Sequence, residues 1–415
     1  MKASWRKQQC PAAVLEQFDP TRFTRGADGI CYQGGGFGDL QHAASILLSF
    51  IDVEGGSAST GERITELVRT IMEAGASSRL QPGFVLAEFE RRMSLLEERP
   101  QRQLCVVGYV SLSRSLHPVM VRQIGQGRIQ IGGSISRYRQ ARADISATDK
   151  VFEEVPSSYT PLKVNLNARS DDEALAVAHS ALATLLGWWN HALTYGRVRL
   201  SFGGRPGPVA EIVLAPLRTL HDPSGKALDC WQYDPDFHKY PQAFSTADKW
   251  RQLKKAEGSI RRRLPGHQHE DLLKSAILAY HDACSSHVPD NAFLSLWTLL
   301  ETLTGSNQGE VMIRRTLFLI AEKHREYCSW ELRHLHYYRN CLVHRGDSRS
   351  DIERLVYQLK RYVDILLKWW LFHFNGFADK QEVFDVLDTS RDAGLIGKRI
   401  RILKYAMKHA KKAGH

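Results

Sequence analysis

The sequence lacks any run of about 18 apolar residues, so no stretch of it reads as a membrane-spanning helix. The opening Met1-Lys2-Ala3-Ser4-Trp5-Arg6-Lys7 is not followed by an apolar segment, and no secretory signal is expected. Cysteine is sparse, seven residues in 415, odd in number and scattered, with no Cys-x-x-Cys pair. That argues for a reducing, cytoplasmic setting and against a structural zinc. Gly-x-Ser-x-Gly, His-Glu-x-x-His and a Ser-His-Asp set are all absent. Gly34-Gly35-Gly36-Phe37-Gly38-Asp39 has neither the Gly-x-Gly-x-x-Gly spacing nor a Gly-Lys-Ser/Thr ending, and reads as a flexible turn rather than a phosphate cradle. His334 and His336 point about 160° apart on a helix, and nothing completes a set around His267 and His269. No metal, no cofactor and no membrane partner are expected.

Hydrophobic content of 43% and charged content of 24% describe an ordinary globular chain. The formal charge of +11 favours a polyanionic partner: RNA, DNA or acidic lipid. Much of it sits between Gly397 and Lys412, where there is no acid. An RNA-binding arm presenting Lys398, Arg399, Arg401 and Lys404 is the preferred reading. A membrane-surface helix and a solvated tail are the alternatives. Arg261-Arg262-Arg263 reads either as solvated surface or as a contact for RNA backbone.

The fold class read from the pattern is α+β. Residues 1–215 form a mixed α/β domain. Helical spacing recurs over about 40–52, 61–75 and 82–98, with an irregular lead-in over 1–35. Strands are expected at Leu104–Val110, Val119–Ile124, Arg128–Ile131, Leu162–Asn167, Val198–Phe202 and Ala210–Ala215, with a hairpin turn at Gly125-Gln126-Gly127. Ser170 and Glu173 suit the start of a helix that runs to about Asn190. Trp188-Trp189 near its end suits packing. Residues 216–265 read as a connector with a short helix near 246–257. Residues 266–375 read as an antiparallel helical bundle, with helices near 268–285, 290–304, 310–327, 329–345 and 350–374. Residues 376–415 form a basic helical tail.

The richest stretch is Tyr338-Arg339-Asn340-Cys341-Leu342-Val343-His344-Arg345-Gly346-Asp347. It closes the fourth bundle helix at a glycine stop. At about 100° per residue, Leu332, Leu335, Leu342 and Val343 share a core-facing sector, and Arg339 falls inside it. A guanidinium aimed at a core needs an acid or a phosphate. Asn340 and His344 share a second face with His336, where an amide can hold an imidazole. A fixed cation near a positioned histidine suits in-line phosphoryl chemistry. On the second helix Glu301 lies beside the Leu294 and Trp297 face and is a candidate partner for Arg339.

Arg339-Asn340-x-x-x-His344 resembles the Arg-x(4–6)-His signature of the HEPN superfamily of helical-bundle ribonucleases, with an Asn directly after the Arg. The resemblance covers roughly 268–375. It implies a metal-independent endoribonuclease in which the substrate's 2′-hydroxyl attacks the neighbouring phosphate, leaving a 2′,3′-cyclic phosphate and a 5′-hydroxyl. His344 would act as general base or acid, Arg339 would stabilise the transition state, and Asn340 would orient phosphate or imidazole; Glu301 would either orient Arg339 or form only a structural buried bridge with it. Independently of the resemblance, His336 on the Asn340 face and Arg345 are candidate RNA contacts. The resemblance further implies a homodimer, an antiviral-defence or toxin role on tRNA or mRNA, and a regulatory partner or phage-derived trigger acting through the N-terminal half. The alternative is a non-catalytic HEPN-like bundle serving dimerisation or nucleotide and RNA binding. Toxins paired with a nucleotidyltransferase carry a Tyr two residues after the His. Gly346 stands there, so control through such a tyrosine is not implied.

Overall fold

The computed structural model describes residues 2–6, 12–26, 29–33, 40–55, 58–113, 119–148, 155–197, 207–237, 240–245, 249–345, 351–373, 376–377 and 379–413. Within them the chain is α+β, with an N-terminal helical unit, an antiparallel sheet and a C-terminal set of helices.

The N-terminal unit holds β1 (Lys2–Trp5), α1 (Ala12–Glu16), β2 (Phe23–Gly26), β3 (Gly29–Tyr32), α2 (Leu40–Ser49), β4 (Ile51–Glu54), α3 (Thr60–Ala76) and α4 (Pro82–Glu98). The lead-in expected to be irregular therefore contributes strands: β1 pairs with β4, and β2 with β3, both antiparallel. Such four-residue strands carry too little alternation to stand out. The Gly34–Asp39 turn lies outside the described residues.

The sheet consists of β5 (Arg102–Ser113), β6 (Met120–Ile124), β7 (Gly127–Ile131), β8 (Tyr159–Ala168), β9 (Arg218–His221) and β10 (Ala227–Gln232). Its order is β10-β9-β5-β8-β7-β6, and every pairing within it is antiparallel. Four of its strands match the expected ones, and Gly125 makes the β6–β7 turn at φ +54°. The segment read as a connector supplies the other two. The strand expected at Ala210–Ala215 is reduced to a single bridge, Val110 to Leu214. The strand expected at Val198–Phe202 lies outside the described residues.

β5 reads as one apolar run because both its faces are covered. On one side lies α6 (Asp171–Thr194), whose Leu182, Leu186 and Trp189 pack on Val106 and Leu220. On the other lies α5 (Ser136–Thr148), where Tyr138 packs on Cys105 and Val107. No apolar stripe announces α5. Its buried Arg142 instead donates to the carbonyls of Val107 at 3.0 Å and Leu217 at 2.7 Å and to the Thr219 hydroxyl at 3.1 Å. Burial holds that guanidinium down at about 10, and the three acceptors satisfy it.

Ser170 caps α6, accepting from the Glu173 N–H at 3.0 Å. Its hydroxyl also bonds Glu62, which is the N3 residue of the capping box that Ser59 forms at the start of α3. Farther along α6, Gly187 meets the next layer closely: a Cβ there would lie 2.8 Å from the Ile277 carbonyl oxygen.

That layer holds α7 (Trp250–Arg263), α8 (Glu270–Ser285), α9 (Pro289–Thr304), α10 (Gly309–Leu317), α11 (Glu322–Arg345), α12 (Ile352–His373), α13 (Lys380–Leu387) and α14 (Ala393–Ala413). Pro289 starts α9 and Gly305, at φ +65°, ends it. The boundary expected near residue 328 falls earlier, in a turn over 318–321 that contains neither Gly nor Pro. Trp188 and Trp189 are both buried. Trp188 donates its indole N–H to the Ala256 carbonyl at 2.7 Å, which is a packing role. On α12, Lys360 and Asp364 form a buried ion pair at 2.7 Å. Thr194 O accepts from Lys360, and the Tyr280 hydroxyl and Gly196 N–H donate to Asp364.

Candidate active site

α11 is a continuous 24-residue helix. Leu332, Leu335 and Tyr338 face the core, and the Tyr338 hydroxyl donates to Asp290 at 3.2 Å. Glu331, nearly buried, receives the Tyr362 hydroxyl and the Arg361 guanidinium from α12. Core contact fades toward the helix end. Leu342 is partly buried, and Val343, expected on the core face, is 49% exposed.

Arg339 is half-buried on the flank of this core. Its Nη1 donates to Asn340 Oδ1 at 3.2 Å. Among the described residues no carboxylate forms an ion pair with it. Glu301, the expected partner, instead accepts from the indole N–H of Trp297 at 2.8 Å, one helical turn away on α9. A neutral amide cannot neutralise a guanidinium, so among the described residues the Arg339 charge is balanced by no ion-paired acid.

Asn340 was expected to steady His344. Its Nδ2 lies instead 3.5 Å from Nε2 of His336, a long contact near the limit of a hydrogen bond. With the amide donating, Nε2 accepts and the ring proton sits on Nδ1. The imidazole lies parallel to Trp297, with 5.5 Å between centroids and 9° between planes. A Cβ on Gly309 would fall 2.4 Å from its Cε1, so the start of α10 must be glycine for the ring to keep its place. Burial pushes the His336 pKa below the ordinary value, and the Arg339 charge pushes the same way. Glu310 and Glu301 oppose them. The ring is therefore neutral at pH 7.

His344 is exposed. Five residues of continuous helix set it about 140° around the axis and roughly 7.5 Å along it from Arg339. A single copy of this helix thus does not turn both groups toward one phosphate. His344 does fall in line with Trp330 and Tyr337, each seven residues from the next, and these two aromatic rings are 69% and 63% exposed. The Arg345 side chain and Gly346 lie outside the described residues.

The remaining cations predicted to bind RNA sit on other elements. Arg261 is exposed at the wall of a cavity of about 560 Å³ between α6, α7 and the β6–β7 hairpin. Arg262 donates back to the Gly258 carbonyl, and Arg263 lies over the Phe372 ring at 4.5 Å. Lys398, Arg399, Arg401 and Lys404 are exposed on α14. Neither set hydrogen-bonds or ion-pairs with Arg339, Asn340 or His336 among the described residues. Groups of three or more metal-ligating side chains are likewise lacking among the described residues.

Comparison of the chain with family models, curated proteins and solved structures gives no match. Its function is therefore argued from the site alone. In the sequence Trp297 reads only as part of the apolar face beside Glu301, and Gly309 is not singled out. Trp297 carried a signal, standing four residues before Glu301. Gly309 carried one only in hindsight, as a glycine at a helix start.

Proposed function

We propose that this protein is a metal-independent endoribonuclease that works as a homodimer. What carries the reading is a half-buried arginine on a bundle helix, joined to a neutral amide and a neutral, walled-in imidazole. That combination offers a phosphodiester one fixed positive charge beside an ordered imidazole, whose Nε2 lone pair takes a proton once the long Asn340 contact opens.

In the proposed reaction the ribose 2′-oxygen forms a bond to phosphorus and the 5′-oxygen leaves. The 2′-hydroxyl gives its proton to one imidazole, and a second imidazole protonates the 5′-oxygen. The products are a 2′,3′-cyclic phosphate and a 5′-hydroxyl. Arg339 stabilises the pentacoordinate phosphorane, Asn340 orients His336 or a phosphate oxygen, and Glu301 acts through Trp297 on the His336 wall. His344 reaches the same phosphate from the second copy. The wide angle between Arg339 and His344 on one helix, and the exposed line of Trp330, Tyr337 and His344, both favour such a shared site. Arg345, Arg261, Arg262 and Arg263 are the proposed contacts for the RNA backbone. By resemblance alone, tRNA or mRNA would be the target, in a defence or toxin role released by a partner or trigger.

The second reading is a non-catalytic bundle for dimerisation or for nucleotide and RNA binding. The separation of His344 from Arg339 favours it if the protein is a monomer. Incubation of the purified protein with total RNA in EDTA decides between them. Cleavage that is lost in Arg339→Ala and His344→Ala, with circular dichroism unchanged, supports the enzyme. Retained RNA or nucleotide binding without cleavage supports the module.

A further inference from the structure

We infer that α14 is an interfacial helix that lies on an anionic phospholipid bilayer. This inference does not depend on the ribonuclease reading.

The helix start is fixed to the bundle. Arg391 donates to the Ile320 carbonyl at 2.7 Å and lies over the Phe318 ring. Asp392 then caps α14, accepting from the N–H groups of Gly394 at 2.7 Å and Leu395 at 3.2 Å. The helix beyond that cap stands clear of the core. Leu395, Ile400, Ile402, Leu403, Tyr405 and Met407 are each 48–67% exposed.

Helical geometry sorts these side chains. Leu395, Ile400, Ile402, Leu403 and Met407 fall within an arc of about 160°. Lys398, Arg401 and Lys404 occupy the opposite arc, with Tyr405 among them. Arg399 alone lies inside the apolar arc, where its long stem can follow the surface and carry its charge outward. From 393 to 413 there are seven Lys and Arg and no acid.

An anionic bilayer matches both faces at once. Its headgroups pair with the cations and its acyl boundary takes the apolar arc. RNA would use the cations but leave five large apolar side chains in water, a cost that proteins seldom bear on a continuous face. A second copy of the helix would bring seven more like charges to the same place. The charges also keep the helix from crossing the membrane, in keeping with the lack of any membrane-spanning helix among the described residues. A helix of roughly 30 Å would lie flat.

The test is flotation of the full-length protein with vesicles at 0.1 M salt. Vesicles of phosphatidylglycerol and phosphatidylcholine should carry the protein. Pure phosphatidylcholine should bind at least tenfold more weakly. Ile402→Asp with Leu403→Asp should lose flotation while keeping every cation, and Lys398→Gln with Lys404→Gln should lose it while keeping the apolar arc. All four positions are exposed, so melting temperatures should match the wild type. Absence of flotation overturns the inference. So does flotation that survives Ile402→Asp with Leu403→Asp, since charge alone would then explain it. If neither vesicle binds, but single-stranded RNA binds and only the lysine variant loses it, the helix is an RNA arm. If neither binds and the aspartate variant alone halves the mass in solution, its partner is a second copy. Both results overturn the lipid assignment.

Discussion

Trp297 and His336, from helices α9 and α11, lie ring on ring with 9° between their planes. The stack takes water from one face of the imidazole, which is part of why its protonation is disfavoured. Trp297→Leu should raise the His336 pKa toward the ordinary value, read by histidine NMR titration. Gly309→Ala should do so too by displacing the ring, at a cost of about 1–3 kcal/mol typical of an overpacked contact. An unchanged titration in both variants would show that the wall does not set the protonation state.

If the active site is shared, complementation follows. Arg339→Ala and His344→Ala should each reduce RNA cleavage by about 100-fold or more, as loss of an electrostatic or proton-transfer group typically does. Mixing the two after subunit exchange should restore about one quarter of wild-type activity, because half the dimers are mixed and each holds one intact site. A mixture no more active than its parts refutes sharing.

The aromatic line on α11 gives a separate prediction. Trp330→Glu with Tyr337→Glu should shift the protein from dimer to monomer by light scattering, with little change in melting temperature, because both rings are exposed already. Wild type that remains monomeric at high concentration removes the dimer from the proposal.

Acid should weaken the fold in a predictable window. Burial is the main cause that lowers His281 from the ordinary 6.5 to about 4, with His179 and Arg218 adding to it and Asp282 opposing. Between those values the unfolded chain binds a proton that the folded chain refuses, so stability falls as pH falls. The window runs from 6.5 down to about 4, and the loss is on the order of 3 kcal/mol. His191, His221, His267 and His269 are lowered by burial as well and act in the same direction. Urea midpoints at pH 7 and pH 4.5 measure the change, and His281→Gln should flatten it.

The Lys360–Asp364 pair joins α12 to α6 and α8 through Thr194 and Tyr280. Lys360→Met leaves a buried carboxylate without its cation, held only by the Tyr280 hydroxyl and the Gly196 N–H, and should cost about 3–5 kcal/mol. Adding Asp364→Leu should recover part of that, since neither charge then needs a partner. A double variant less stable than the single one would show that the pair contributes net stability.

The sequence made some of this architecture legible and hid the rest for physical reasons. The long C-terminal helices were readable because their apolar spacing is strong and Pro289 and Gly305 mark the ends of α9. α5 was not, because a buried guanidinium does there what an apolar stripe does elsewhere. β9 and β10 lay in a segment rich in Pro, Asp and Tyr, where four to six residues show no period. At the site, Arg339 and Asn340 could be placed from helical geometry. The partner of Asn340 could not, because the choice of His336 over His344 depends on Trp297 and Gly309 arriving from other helices.

Glu62 closes the capping box of α3 and also takes the hydroxyl of Ser170, the residue that caps α6. One carboxylate therefore fastens the starts of two helices 108 residues apart. A shortened chain beginning after Arg99 would take that shared carboxylate from Ser170 and leave the start of α6 held by its own cap on the Glu173 N–H alone.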